Sequence, residues 1–172
     1  MTSPTPYAAA ELTDREVVLV LQELTEELTA GAAADAMPMD QEEAVLLLDA
    51  LRRARPEAEA AAAPALPEGA AACAAARRLL AVLAEEPTCA GFAAELLADP
   101  PNDSRLGGEL AVPGVVVLAA TVAWLQTKVD IRFKRGGGKT EFEFRLGKEA
   151  ADGSTLRELA AVIARLLGWP RQ

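Results

Sequence analysis

Apolar and polar positions alternate strictly in two neighbouring stretches of this chain. Over residues 128–134, Val129, Ile131 and Phe133 share one face, and Lys128, Asp130, Arg132 and Lys134 share the other. Over residues 140–146, Phe142, Phe144 and Leu146 alternate with Glu141, Glu143 and Arg145. A period of two in β-branched and aromatic residues predicts half-buried antiparallel strands. Facing the two apolar sets together sets the register, because a slip of one residue turns every aromatic into water. Phe133 then lies opposite Phe142, Ile131 opposite Phe144, and Val129 opposite Leu146. On the wet face Lys134 meets Glu141, Arg132 meets Glu143, and Asp130 meets Arg145. The residues left at the tip, Gly137 and Gly138, suit a type I′ turn, which needs positive φ twice.

The remaining pattern is helical. Residues 111–125 form a nearly unbroken apolar run with Pro113 near its start, a position proline favours in a first helical turn. At 15 residues it is shorter than the roughly 18–20 that span a bilayer. It also holds Thr121 and leads into a charged strand, so it reads as a core helix buried on most sides. Upstream, Thr13-Asp-Arg-Glu16 is a capping box opening a helix with Val17, Val20, Leu21, Leu24 and Leu28 on one stripe, ending near Gly31. A second box, Asp40-Gln-Glu-Glu43, opens a helix with Val45, Leu47, Leu48 and Leu51 that Pro56 closes. Residues 56–67 are Ala, Glu and Pro apart from Leu66, with little to bury, and read as a linker. A third helix from about Glu68 buries Cys73, Ala76, Leu80 and Leu83, and a short fourth, roughly 88–98, presents Phe92, Leu96 and Leu97. After the strands, Asp152 caps a last helix carrying Leu156, Leu159, Val162, Ile163, Leu166 and Leu167. Gly168 stands at its left-handed C-cap, with Pro170 beyond.

These elements make a mostly helical α+β protein. A flexible N-terminus at 1–12 precedes about four helices over 13–98. A loop and boundary at 99–110 then leads to a helix–β-hairpin–helix over 111–169. A hairpin is marginal by itself, so its apolar face is expected to lie on the two flanking helices.

Composition alters this picture in few places. The chain has 172 residues and net charge −9, with no histidine and two cysteines. Alanine and leucine dominate the apolar residues, so the core is Leu, Val and Ala, and the high Ala and Arg content resembles that of high-GC bacteria. The first residues show neither a basic stretch nor an apolar one of secretory type, and a cytoplasmic protein is expected. Lack of histidine removes Ser-His-Asp and Cys-His nucleophile systems and the commonest zinc ligand, and two cysteines cannot complete a tetrahedral zinc site. Cys73 reads as a small core residue. Cys89, near a helix N-terminus where a thiolate is favoured, is the more reactive of the two. Gly136-Gly-Gly-Lys-Thr140 has the tail of a phosphate-binding loop. However, Phe133 stands where the motif needs its first glycine, and a strand follows where it needs a helix. The acidic pairs Glu26-Glu27, Glu42-Glu43 and Glu85-Glu86 read as solvated helix faces. No catalytic, cofactor-binding or metal-binding residues, and no cofactor, are predicted.

Charge is uneven along the chain. Residues 128–148 hold seven basic and three acidic side chains, against −9 for the whole. Three of those bases face cross-strand acids, which leaves Arg135 and Lys139 near the turn and Lys128 and Lys148 at the ends, and no aromatic on the wet face offers a stacking platform. These features weigh against nucleic acid as a partner. The candidate interaction surface is Arg132, Lys134, Arg135 and Lys139 with Trp124 and Trp169.

Ala123-Trp-Leu125, Val129-Asp-Ile-Arg-Phe133, the glycine turn, Thr140-Glu-Phe-Glu-Phe144 and Leu156-Arg-Glu-Leu159 together make residues 107–168 resemble a known family. It is the small effector-associated constant component proteins of bacterial conflict systems. Those show a glycine-bearing apolar helix ending in Trp-Leu, an alternating hairpin and a short helix. The N-terminal half departs, since the resemblance implies a strand there and this chain reads as helical. What the resemblance implies is an accessory, non-enzymatic component beside sensor and effector proteins; it carries over no functional residue. The function expected is a protein-interaction module, an adaptor or regulatory component, binding another protein or forming a homodimer. The alternatives are a membrane-active protein using residues 111–125, a nucleic-acid binder using the basic hairpin, and a hydrolase or transferase using Cys89.

Overall fold

The computed structural model describes residues 11–55, 65–102 and 112–169. The α-helices are α1 (Asp14–Thr29), α2 (Gln41–Arg52), α3 (Gly69–Glu85), α4 (Ala90–Ala98), α5 (Pro113–Lys128) and α6 (Gly153–Leu167). A 3-10 turn η1 (Ala34–Ala36) precedes α2, and strands β1 (Asp130–Gly136), β2 (Lys139–Leu146) and β3 (Glu149–Ala150) lie between α5 and α6. The protein is thus mostly helical α+β. The linker over 56–64, most of the 99–110 boundary, the N-terminal ten residues and Pro170 lie outside the described residues.

The chain divides into two compact units that interleave in sequence. The first takes residues up to Ala30 and Leu66–Thr121, and the second takes Gly31–Ala65 and everything from Val122. The division between them falls inside α5.

In the first unit α1 packs on α3 and α4, and α3 packs on α4. Thr13 caps α1 as read: its hydroxyl accepts the Glu16 N–H, and the Glu16 carboxylate accepts the Thr13 N–H at 2.7 Å. The buried face of α1 is wider than one stripe, since Val17, Val18, Leu19, Val20 and Leu21 are all buried, while Leu28 is only half-buried. Ala72, Ala75 and Ala76 give α3 a low surface beside Leu79, Leu80 and Leu83, and small side chains let helices approach closely. Residues Val116, Val117, Leu118 and Ala120 of α5 are buried, and so is Thr121, whose hydroxyl donates to Val117 O at 2.7 Å. The start of α5 runs so close to Pro67 that a Cβ on Gly114 would stand 2.6 Å from its carbonyl oxygen. On α4 the three large residues expected to pack, Phe92, Leu96 and Leu97, are half-buried, and Ala93 is the buried one.

In the second unit the sheet order is β1-β2-β3, all antiparallel. The hairpin register is the one the alternation requires: Phe133 opposite Phe142, Ile131 opposite Phe144, Asp130 opposite Arg145. Gly137 and Gly138 make the turn with φ of 59° and 74°. Pairing stops at Asp130, so Val129 does not face Leu146 in the sheet. Val129 N–H instead donates to Leu125 O and extends the end of α5, and Leu146 is 47% exposed. The short β3, which the sequence did not reveal, returns through Gly147 at φ 63° and pairs with Arg145 and Leu146. Beside β1 lies η1, β2 approaches α2, and α2 packs on α6. Helix α6 ends as predicted: Gly168 has φ 71°, and Trp169 N–H closes on Ala164 O at 2.9 Å, a Schellman cap.

Candidate interaction surface

The alternation that makes the hairpin continues toward the turn, and there it changes chemistry. Arg135 has the parity of Ile131 and Phe133, and Thr140 that of Phe142, so this cross-strand pair extends the inner face. A cation on an inner face needs a partner. It is Glu43, in the first turn of α2, only 7% exposed at its side chain. Arg135 Nε donates to Glu43 Oε1 and Nη2 to Oε2, both at 2.8 Å, a two-pronged contact suited to guanidinium and carboxylate. Thr140 donates its hydroxyl to Oε1 at 3.0 Å, and Met39 N–H donates to Oε2 at 2.7 Å. Arg135 Nη2 also reaches Met37 O at 2.7 Å, and Gln126 at the end of α5 donates to Ala36 O.

Hydrogen bonding by Arg135 holds the Glu43 carboxyl down from 4.5 to about 2. Burial works against that shift, while Met39 N–H and Thr140 add to it. The spacing of Asp40 and Glu43 predicts a capping box. The Asp40 carboxylate does accept Glu43 N–H at 2.8 Å, but the Glu43 side chain turns to Met39 N–H and the hairpin.

On the wet face the charges pair along diagonals and along strands. Lys134 Nζ bonds Glu143 at 2.8 Å, one pair removed from Glu141 opposite it, and Arg145 and Arg132 stand 3.6 Å from Glu143 and Asp130 on their own strands. Strand twist brings such diagonal neighbours together. Lys134 lowers the Glu143 pKa by hydrogen bond and charge. Lys139 and Glu141 are exposed and take no ion pair among the described residues.

The six candidate surface residues therefore separate. Arg132, Lys134 and Lys139 stand exposed on the hairpin. Arg135 is committed to Glu43. Trp124 is 3% exposed, a core residue with Lys128 over its ring at 6.0 Å, and Trp169 is half-buried.

The comparisons give no relative. No family model, curated protein or solved structure matches the chain.

The reactive-group candidates change as well. Cys89 is buried, donates its S–H to Leu83 O at 2.9 Å, and has its pKa raised, first by burial and then by the nearby Glu86 charge. The position before a helix does not activate it, because desolvation of the thiolate outweighs the helix end. Among the described residues no group of three or more His, Cys, Asp or Glu could hold a metal ion, and no helix is long and apolar enough to cross a membrane.

The sheet has one further property that side-chain patterns do not display. Ala151 N–H donates to Phe144 O at 2.8 Å, so the even-numbered residues of β2 turn their main-chain groups away from β1. β3 takes up this edge at Leu146, and Ala151 takes it up at Phe144. At Thr140 and Phe142 the N–H and C=O groups point outward with no main-chain partner among the described residues. Along the other strand, η1 lies beside β1, and the outward main-chain groups of Ile131 and Phe133 likewise take no main-chain partner among the described residues.

Proposed function

We propose that the protein is a non-enzymatic interaction module, an adaptor or regulatory accessory component of the cytoplasm, working through the open edge of β2. The observation that carries this reading is the outward-turned backbone of Thr140 and Phe142. Unpaired strand edges are templates for a partner strand, and the Glu43 clamp holds this one in place. The shielded thiol of Cys89 supports the same reading over one based on covalent chemistry. Placement beside the sensor and effector proteins of a bacterial conflict system rests on the resemblance of residues 107–168.

The test is a pull-down from the native host with the tagged chain, read by mass spectrometry and by an absorbance ratio for nucleic acid. Thr140→Pro removes the outward N–H and is expected to lose the partner. Thr140→Val keeps that N–H and is expected to retain it. Recovery of nucleic acid or lipid in place of a protein, or a partner indifferent to Thr140→Pro, overturns the proposal.

A further inference from the structure

The open stretch of β2 is short, from Lys139 to Phe142, and its charges are self-complementary. A second copy related by a two-fold axis normal to the sheet would pair antiparallel with it, and three registers set the outward main-chain groups of Thr140 opposite an outward-facing residue of β2. Centring on Phe142 sets Glu141 against Glu143 twice and Lys139 against Arg145, and it needs Phe144 O, which already accepts from Ala151. Centring on Glu141 sets that carboxylate against itself and draws on Glu143, already bonded to Lys134. Centring on Thr140 sets Lys139 against Glu141 twice, and these are the two exposed charges on β2 that take no ion pair among the described residues.

We propose that a second copy of this chain occupies the edge, with Thr140 opposite its counterpart and Lys139 opposite Glu141 across the two-fold axis. The two-stranded core of each copy then continues into its neighbour through main-chain bonds at Thr140. Opposite charges on directly facing positions stabilise this register, whereas each of the other two sets like charges opposite one another and draws on groups already bonded within the copy. The proposal rests on the reading of this edge as the interaction surface and names its occupant.

Sedimentation equilibrium of the full chain, up to concentrations on the order of 1 mM, is expected to show a reversible dimer. Lys139→Glu and Glu141→Lys each create two like-charge contacts and are expected to weaken it about tenfold or more. The double reversal restores complementarity and is expected to recover most of the loss. Thr140→Pro is expected to give a monomer, with circular dichroism confirming the fold; the charge variants, on exposed positions, carry the test if it unfolds. A wild-type monomer throughout, a dimer indifferent to the single reversals, or a double variant no better than the singles overturns the proposal. A wild-type monomer whose host partner is still lost in Thr140→Pro overturns self-pairing alone and leaves the interaction module standing. A dimer with the predicted charge pattern but no host partner supports self-pairing and removes the adaptor.

Discussion

Both units bury an apolar core, and they differ in what is built beside it. In the first, α1, α3 and α4 bury leucine, valine and alanine, and the buried hydroxyls of Thr25 and Thr121 are satisfied by carbonyls of their own helices. Its ion pair between Arg77 and Asp14 sits at the rim. In the second, a buried carboxylate takes four donors from three segments: two from Arg135, one from Thr140 and one from Met39. Apolar burial is non-directional and spread over many contacts. A buried charge depends on a few particular partners, and losing one leaves the other uncompensated. Both units are therefore sensitive to the volume of their buried side chains; the first carries a lowered carboxylate pKa at the exposed Glu16 cap, while the second adds a charge dependence centred on Glu43.

The largest expected effect tests the apolar side of this comparison. Leu79→Ala empties a fully buried site on α3 and is expected to cost about 3 kcal/mol, the same at pH 7 and pH 4, by urea denaturation. A marked pH dependence of that loss would contradict an apolar first unit.

Glu43→Gln comes next and acts on the other side. The folded-state pKa of Glu43 is depressed below its ordinary 4.5 to about 2. Its contribution is therefore complete above about 4.5 and is lost as pH falls from there through about 2. At pH 7 the variant is expected to lose about 2 kcal/mol, a gap that narrows along the same acid range. A gap that stays constant down to pH 2 would show that the carboxylate charge is not what holds the hairpin.

Lys134→Met is the smallest. It removes the Lys134–Glu143 pair, in which the lysine is 63% exposed, and surface pairs of this kind contribute little. No resolvable change in the thermal midpoint is expected. A clear drop would mean that the wet face carries part of the stability assigned here to the clamp.

Residues 128–146 show how much can be read without a structure. Alternation, β-branched and aromatic side chains and two glycines determined strands, register and turn, because each is a local or nearest-strand property. The caps of α1, α2 and α6 were legible for the same reason. The place of Arg135 on the inner face is signalled by its parity with Phe133. Following the inner face two residues further would have demanded a buried acid, though not Glu43 in particular. The diagonal shift of Lys134 toward Glu143 follows from twist, and the raised pKa of Cys89 from burial, and neither is written in spacing.

What the sequence by itself determined about this protein is its set of elements and the pairing within the hairpin, both governed by periodicity over a few residues. Tertiary structure alone decided that η1 and α2 belong with the hairpin, although some 90 residues separate Glu43 from Arg135. It also decided that β3 takes up the outer edge of β2 only at its Arg145–Leu146 end. A contact across that distance is selected by the whole chain's packing and charge satisfaction, which no local pattern encodes.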